Sequence, residues 1–184
     1  MAQTTEKIVL GIDPGTMYMG YGVIRVLGQK IEYVDMGILD LKKEKDIYLK
    51  LKKIYDFTIE LIKKYLPDEF AIEAQFFGKN VQSMLKLGRA QGVAIVAALE
   101  RDIPVAEYAP LKIKQAITGN GMASKEQVSQ MLKALLKLKT EDLPEHLDAT
   151  DALAAAVCHH FETRTTVATK KYSSWADFEN KMKK

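Results

Sequence analysis

The sequence is poor in the residues that crosslink a chain or carry it through a membrane. Cys158 is the one cysteine among 184 residues, which excludes an intramolecular disulfide and a zinc site built from several cysteines. No apolar run approaches the roughly 20 residues that a membrane-spanning helix needs. Residues 1–7 have no basic stretch followed by an apolar one, so we expect no signal peptide and a cytoplasmic location.

The chain also carries little net charge, because 27 basic residues face 24 acidic ones, a formal charge of +3. This value permits a nucleic-acid partner without requiring one. The lysines do form clusters, which we interpret mainly as solvated faces of helices, any of which could contact a phosphate. The clusters are 42–45, 50–53, 63–64, 112–114 and the C-terminal residues.

No internal repeat, low-complexity segment or linker divides the chain. Its 184 residues suit a single domain with one substantial core. We expect residues 1–163 to form this domain and residues 164–184 to form a polar, mobile C-terminal tail, because the tail has little apolar pattern.

Hydrophobic periodicity predicts five strands and five helices. The strands are expected at Ile8–Asp13, Tyr21–Leu27, Lys30–Leu41, Phe70–Glu73 and Ile103–Tyr108. The helices are expected at 47–65, 80–100, 111–117, 124–138 and about 148–161. Gly28-Gln29 is typical of a hairpin turn, and Ser124 followed by Gln127 has capping-box spacing. The order predicts an α/β fold in which helices flank a mixed sheet, with the first three strands antiparallel.

Four acidic residues lie at positions that point to a shared role for their charges. Asp13 and Glu73 each end an apolar strand, where a charge is costly unless it is paired or solvated. Asp148 and Asp151 lie three apart, so they share one face of a helix. If all four met at one sheet edge, they would repel one another, and a hard divalent cation such as magnesium would relieve the repulsion. Two such ions about 4 Å apart support phosphodiester cleavage.

Each acid alone also has a simpler interpretation. Asp13-Pro14-Gly15 could be only a turn, and Glu73 could be a strand-end charge that reaches solvent. Asp148 and Asp151 could merely favour the positive end of a helix dipole. One shared site explains the positions of all four acids better than four unrelated structural roles do.

Several segments form recognisable motifs: GIDPGT at Gly11–Thr16, GYGVI at Gly20–Ile24, FAIE at Phe70–Glu73, FFGKN at Phe76–Asn80, LKLGRAQGVAIVAA at Leu85–Ala98, KQAITGNGMASKEQV from Lys114, and DATDALAAA from Asp148. Together they resemble the motifs of the RuvC family of bacterial Holliday-junction resolvases. They cover roughly Ile8 to Cys158.

The resemblance implies a ribonuclease-H-like fold and a homodimer that resolves four-way DNA junctions by symmetric, metal-dependent hydrolysis during recombination and repair. It implies two Mg²⁺ ions per active site, with Mn²⁺ as a substitute, and RuvA and RuvB as branch-migration partners. Asp13, Glu73, Asp148 and Asp151 match the family's catalytic, metal-binding carboxylates. The residues that match its DNA contacts are Phe76, with Phe77 and Lys79 beside it, Lys114 and Lys125.

The sequence departs from the family at two places near the site. Ala74 follows Glu73 where several relatives carry a polar side chain, and Glu145-His146-Leu147 is more polar than in many relatives. Some members carry histidine at the third catalytic position, where this chain has Asp148. His146 is two residues away and off the helical face, so we keep it out of the metal-binding set.

Other residues receive structural interpretations. His159 and His160 are expected at the surface or its boundary, and Cys158 in the core. Gly88 and Gly92 lie four apart on the second helix. They predict close approach either to the sheet or to a second copy of the chain.

Three alternative functions remain open. A ribonuclease-H-like nuclease acting on RNA would lack the FFGKN segment and the long helix after it. An actin-like or sugar-kinase-type ATPase shares a turn like GIDPGT, but it needs two domains and a second phosphate loop. A junction-binding module without catalysis would have no use for four carboxylates.

Overall fold

The computed structural model describes residues 6–75, 80–139 and 146–169, with only the backbone of 165–169. The strands are β1 (Glu6–Asp13), β2 (Tyr18–Leu27), β3 (Lys30–Asp40), β4 (Glu69–Glu73) and β5 (Val105–Tyr108). The helices are α1 (Ile47–Tyr65), α2 (Val81–Leu99), α3 (Pro110–Thr118), α4 (Lys125–Leu136) and α5 (Leu147–Thr169). None of the helices in this described part could span a bilayer.

The five strands form one mixed sheet in the order β3-β2-β1-β4-β5. The first three strands are antiparallel neighbours, whereas β4 pairs parallel with both β1 and β5. Gly28 and Gln29 connect β2 to β3, and Gly28 adopts a φ of 60° that suits a tight turn. The predicted α/β class and antiparallel start are therefore confirmed.

Helices cover both faces of the sheet. Leu10 and Ile12 of β1 face the side of α1 and α2, whereas Val9 faces the core that α3, α4 and α5 build on the other side. In β4, Phe70 and Ile72 likewise face α1 and α2, and Ala71 faces α5. Burial on both faces explains why the central strands read as nearly continuous apolar runs.

Helix α5 lies unusually close to the sheet, because glycines remove side chains beneath it. A Cβ atom on Gly11 would lie 2.1 Å from the carbonyl oxygen of Ala152. One on Gly20 would lie 2.0 Å from that of Asp148, and one on Gly22 would lie 2.4 Å from Cα of Leu153. Side chains at these strand positions would push the helix away. The glycines of the GID and GYG segments therefore set the height of α5 above the sheet.

The histidines near the end of α5 are buried, so the prediction of a surface or boundary position is wrong. His159 is 6% exposed and His160 is 2% exposed. The reason is that α5 packs between the sheet and helices α3 and α4, so nearly its whole circumference is covered. Cys158 lies in the core, as predicted.

The backbone of α5 continues to Thr169 rather than ending near residue 161. Its last residues thus enter the segment predicted as a tail, and residues 170–184 lie outside the described part. The division into a domain of 1–163 and a tail of 164–184 stays a prediction.

Gly88 and Gly92 do not pack against the sheet. A Cβ atom at either position would meet no other atom within 4 Å. The buried residues of α2 are instead the alanines Ala90, Ala94, Ala97 and Ala98. The interpretation of tight packing within the monomer is therefore wrong, and the glycine face of α2 is open.

Candidate active site

The parallel pairing of β1 and β4 brings two of the predicted acids to one edge of the sheet. Ile12 pairs with Ile72 in this ladder, and Asp13 and Glu73 are the next residues of the two strands. Side chains alternate between the two faces of a sheet. Both acids therefore lie on the α5 side, with Gly11 and Ala71 preceding them on the same face.

The start of α5 brings the other two acids to the same edge. Gly20 pairs with Asp13 across the β1–β2 ladder, and the backbone carbonyl of Asp148 lies directly over Gly20. Asp148 is in the first turn of α5, where the helix dipole favours an acid, and Asp151 follows on the same face. The predicted acids thus converge from two strands and one helix.

The burial and proximity of these acids raise the pKa values of Asp13 and Glu73. Burial, followed by the charges of Glu73 and Asp151, raises the pKa of Asp13 well above its ordinary value. Burial, followed by the charge of Asp151, raises the pKa of Glu73 to about 7. Each carboxylate therefore makes it harder to ionise its neighbours, and the fully ionised cluster needs positive charge.

Two lysines supply part of that charge. The ammonium of Lys125, at the start of α4, donates a hydrogen bond to Asp151. Burial still raises the pKa of Asp151, although Lys125 opposes the rise. Lys114, on α3, likewise acts to lower the pKa of Glu73 and of Asp151. Two cations against four carboxylates leave the cluster with an excess of negative charge.

Lys50 belongs to the 50–53 cluster that we interpreted as a solvated helix face, but it is buried and fixes the turn after Asp13, so that interpretation is wrong for this residue. Lys50 of α1 is 9% exposed, and its Nζ donates a hydrogen bond of 2.6 Å to the carbonyl oxygen of Thr16. A signal was available, because Lys50 follows Ile47 by three residues and precedes Ile54 by four, which places it on the apolar face of α1. The ammonium ties that helix to the Asp13 turn.

Two side chains contact the ring of Tyr18, at the start of β2. The ring of His146 lies 4.3 Å from that of Tyr18, measured between centroids, and the Nζ of Lys42 lies 4.3 Å from the same tyrosine ring. The side chain of His146 thus packs on Tyr18, just before α5 begins. Phe76, Phe77 and Lys79, three of the predicted DNA contacts, lie outside the described residues.

The donor set fits a hard divalent cation. Carboxylate oxygens are the ligands that magnesium and manganese prefer, and these carboxylates are crowded enough to disfavour their own ionisation. Among the described residues, however, no three acids, histidines or cysteines are already arranged to hold an ion. The acids are gathered, and Lys125 takes one oxygen of Asp151. Binding an ion would require side-chain rotation.

The chain is similar in sequence to known proteins of one family. A family model described as crossover junction endodeoxyribonuclease RuvC matches residues 9–159. The RuvC protein of Bacteroides fragilis is 63% identical over 173 residues, covering 94% of this chain and 92% of that protein. The RuvC protein of Porphyromonas gingivalis is 56% identical over 179 residues, covering 96% and 95%.

Solved structures agree with these relatives. Thermus thermophilus RuvC in complex with a Holliday junction substrate superposes with a TM-score of 0.79 at 34% identity, covering 87% of this chain and 96% of that one. A yeast mitochondrial Holliday junction resolvase gives a TM-score of 0.63 at 16% identity, covering 88% and 81%. The second likeness concerns the fold alone.

Proposed function

This chain belongs to the RuvC family of crossover junction endodeoxyribonucleases, and we propose that its carboxylate cluster is where it cuts four-way DNA junctions. The observation that carries this assignment is the convergence of Asp13 and Glu73 with the start of α5. The reaction would serve recombination and repair of chromosomal DNA, and so would take place in the cytoplasm.

Asp13, Glu73, Asp148 and Asp151 would hold the metal, which we propose to be two Mg²⁺ ions, with Mn²⁺ able to replace them. When bound, the ions supply an activated water and stabilise the leaving oxygen in phosphodiester hydrolysis. The protein's own part is to hold the acids together at one edge of the sheet. Lys125 would give up Asp151 to the metal and turn to a phosphate of the substrate.

The substrate would be held by cations and aromatic rings around this edge. Lys114 and Lys125 are the described members of the set. Phe76, Phe77 and Lys79, which follow β4 in the sequence, would complete the set, with Phe76 stacking on bases at the branch point. Stacking on an unpaired base contributes about 1–3 kcal/mol.

Resolution requires two cuts in opposing strands, and one chain carries one cluster, so we propose a two-fold homodimer. The face of α2 that carries Gly88 and Gly92 supports this proposal. Val96 is 57% exposed and Leu99 is 54% exposed along it. Val96 also lines a shallow apolar groove, together with Leu51, Tyr55, Arg89, Gly92 and Val93. The resemblance also implies RuvA and RuvB as branch-migration partners.

A cleavage assay tests the function. Wild-type protein with Mg²⁺ should cut a synthetic four-way junction in two opposing strands and leave ligatable nicked duplexes. A linear duplex of the same sequence and an RNA hairpin should stay intact. Preferential cutting of the RNA would favour the alternative of a ribonuclease-H-like nuclease that acts on RNA.

Gly92→Leu tests the dimer. The added side chain should weaken dimerisation in sedimentation experiments and uncouple the two nicks, so that singly nicked junctions accumulate. Because a Cβ at this position has open space within the monomer, the variant should keep the circular dichroism of the wild type. A wild-type monomer that makes paired cuts would refute the dimer, and an intact dimer in the folded variant would refute only this face.

A further inference from the structure

Two apolar side chains stand exposed on α3 and on the loop that joins it to α4, the two helices that carry Lys114 and Lys125. Leu111, in the first turn of α3, is 58% exposed, and Met122, between α3 and α4, is 82% exposed. The loop that carries Met122 packs against Leu111, because a Cβ on Gly121, the residue before Met122, would lie 2.9 Å from Cγ of Leu111. Isolated exposed apolar residues are ordinary, whereas two of them on contacting segments that also carry the lysines of the cluster need an explanation.

The two lysines of the cluster flank this pair. Lys114 follows Leu111 by three residues and so lies on the same face of α3. Lys125 follows Met122 by three residues, and its ammonium contacts Asp151. Each member of the apolar pair, which we call the 111–122 rim, thus lies three residues before a lysine that acts on the acids.

The loop that carries Met122 is fixed by its own hydrogen bonds. The backbone N–H of Met122 donates to Oδ1 of Asn120 at 3.0 Å, and that of Asn120 donates to Oγ1 of Thr118 at 3.1 Å. The capping box of Ser124 and Gln127 anchors the loop to α4. Met122 is thus held out into solvent by a shaped loop, so a partner would bind it without first ordering the backbone.

We propose that Leu111 and Met122 pack against bases or sugars at the branch point of the DNA while Lys114 and Lys125 contact the flanking phosphates. This inference rests on the proposed function. Methionine and leucine are among the side chains that proteins press against unstacked base steps. A protein partner fits less well, since charged residues are depleted from the centres of protein interfaces, and here lysines border the apolar pair on both sides.

The test uses Met122→Gln, which keeps the length of the side chain and removes its apolar end. Junction binding is measured by fluorescence anisotropy in Ca²⁺, over a range of salt concentrations, and cleavage is measured in Mg²⁺. Met131→Gln on α4 is the matched control, because Met131 is also exposed, at 43%, but lies outside the rim. Leu111→Asn is the second rim variant.

We expect Met122→Gln to weaken junction binding about fivefold to tenfold and to leave the slope of log affinity against log salt unchanged, because an apolar contact releases no counterion. Its effect on an unbranched duplex should be smaller, and Met131→Gln should match the wild type. Wild-type affinity in both rim variants, or a slope reduced by about one phosphate contact, would overturn the proposal. Wild-type protein that fails to cut the junction at all would instead count against the proposed function.

Discussion

Glu69 and Glu73 begin and end the same short strand, β4, and their side chains lie on the same face, yet their surroundings differ completely. Glu69 accepts hydrogen bonds of 2.7 and 2.8 Å from Nζ of Lys7, and its Oε2 lies 2.9 Å from Nε2 of His159. Burial alone would raise the pKa of Glu69, but Lys7 and His159 outweigh it and the pKa is lowered. Glu73 faces other acids, and its pKa rises to about 7.

Helix α5 makes both environments. Its start brings acids to Glu73, and about two turns beyond Asp151 it brings His159 to Glu69. Burial lowers the pKa of His159, so the ring is neutral near pH 7 and accepts a hydrogen bond from the hydroxyl of Tyr108 at 2.8 Å. The charge of Glu69 is thus balanced by groups of the protein itself. The charges around Glu73 are not, and that end of the contact between α5 and the sheet favours an added cation. That difference separates Glu69, a structural acid, from Glu73, which we propose to be a metal-binding one.

The largest expected contrast is in cleavage. Glu73→Gln should slow junction cutting on the order of a thousandfold or more, because the metal loses a charged ligand. Asp13→Asn, Asp148→Asn and Asp151→Asn should do the same, whereas junction binding should persist in all four. Glu69→Gln, the matched control on the same strand, should cut within about threefold of the wild type. Single-turnover assays measure both, and full activity in any one of the four variants would remove that residue from the site.

The two glutamine variants should rank the other way round in folding stability, with Glu69→Gln the more strongly affected. Glu69→Gln should lower the free energy of unfolding by about 1–2 kcal/mol at pH 7.5, because Lys7 and His159 lose a charged hydrogen-bond acceptor. Glu73→Gln should cause no comparable loss without metal. Urea unfolding compares the two variants, and a larger destabilisation by Glu73→Gln would contradict the assignment of roles.

The pH dependence of stability should differ in sign between the two glutamates. The pKa of Glu73 is raised in the folded state, so its contribution is present at low pH and lost between pH 4.5 and about 7. The pKa of Glu69 is lowered, so its contribution is present above pH 4.5 and lost below it. Without metal, wild type should therefore lose about 1–2 kcal/mol relative to Glu73→Gln between pH 5 and 8. If the free energies of unfolding of the wild type and of Glu73→Gln differed by the same amount at every pH in that range, the raised pKa of Glu73 would be disproved.

The smallest effect should be the response to metal. Saturating Mg²⁺ should raise the melting temperature of the wild type and of Glu69→Gln by about 2–4 °C at pH 8. The increase should shrink at pH 6, where protons compete for Glu73, and it should be reduced in Glu73→Gln. An equal shift in both glutamine variants would mean that the ion binds elsewhere.

Much of this molecule could be predicted from local patterns. The apolar runs of β1 and β4, the hairpin at Gly28 and the capping box at Ser124 each depend on neighbours within a few residues, and all are confirmed. The positions of His159 and Lys50 depend on what packs above them, and both were predicted wrongly. A histidine at this place in α5 has the same local pattern whether it faces solvent or a buried acceptor, whereas the spacing of Lys50 from Ile47 and Ile54 did carry a signal.

The sequence by itself determined the elements, the α/β class and the motifs that identify the family, because periodicity and turn chemistry are properties of short segments. It also marked Asp13 and Glu73 as strand-end acids. Only the tertiary structure decided that Glu69 is neutralised and Glu73 is not, since their partners lie tens of residues away along the chain. Charge pairing and desolvation depend on distance in space, and that distance is set when α5 settles onto the glycines of β1 and β2.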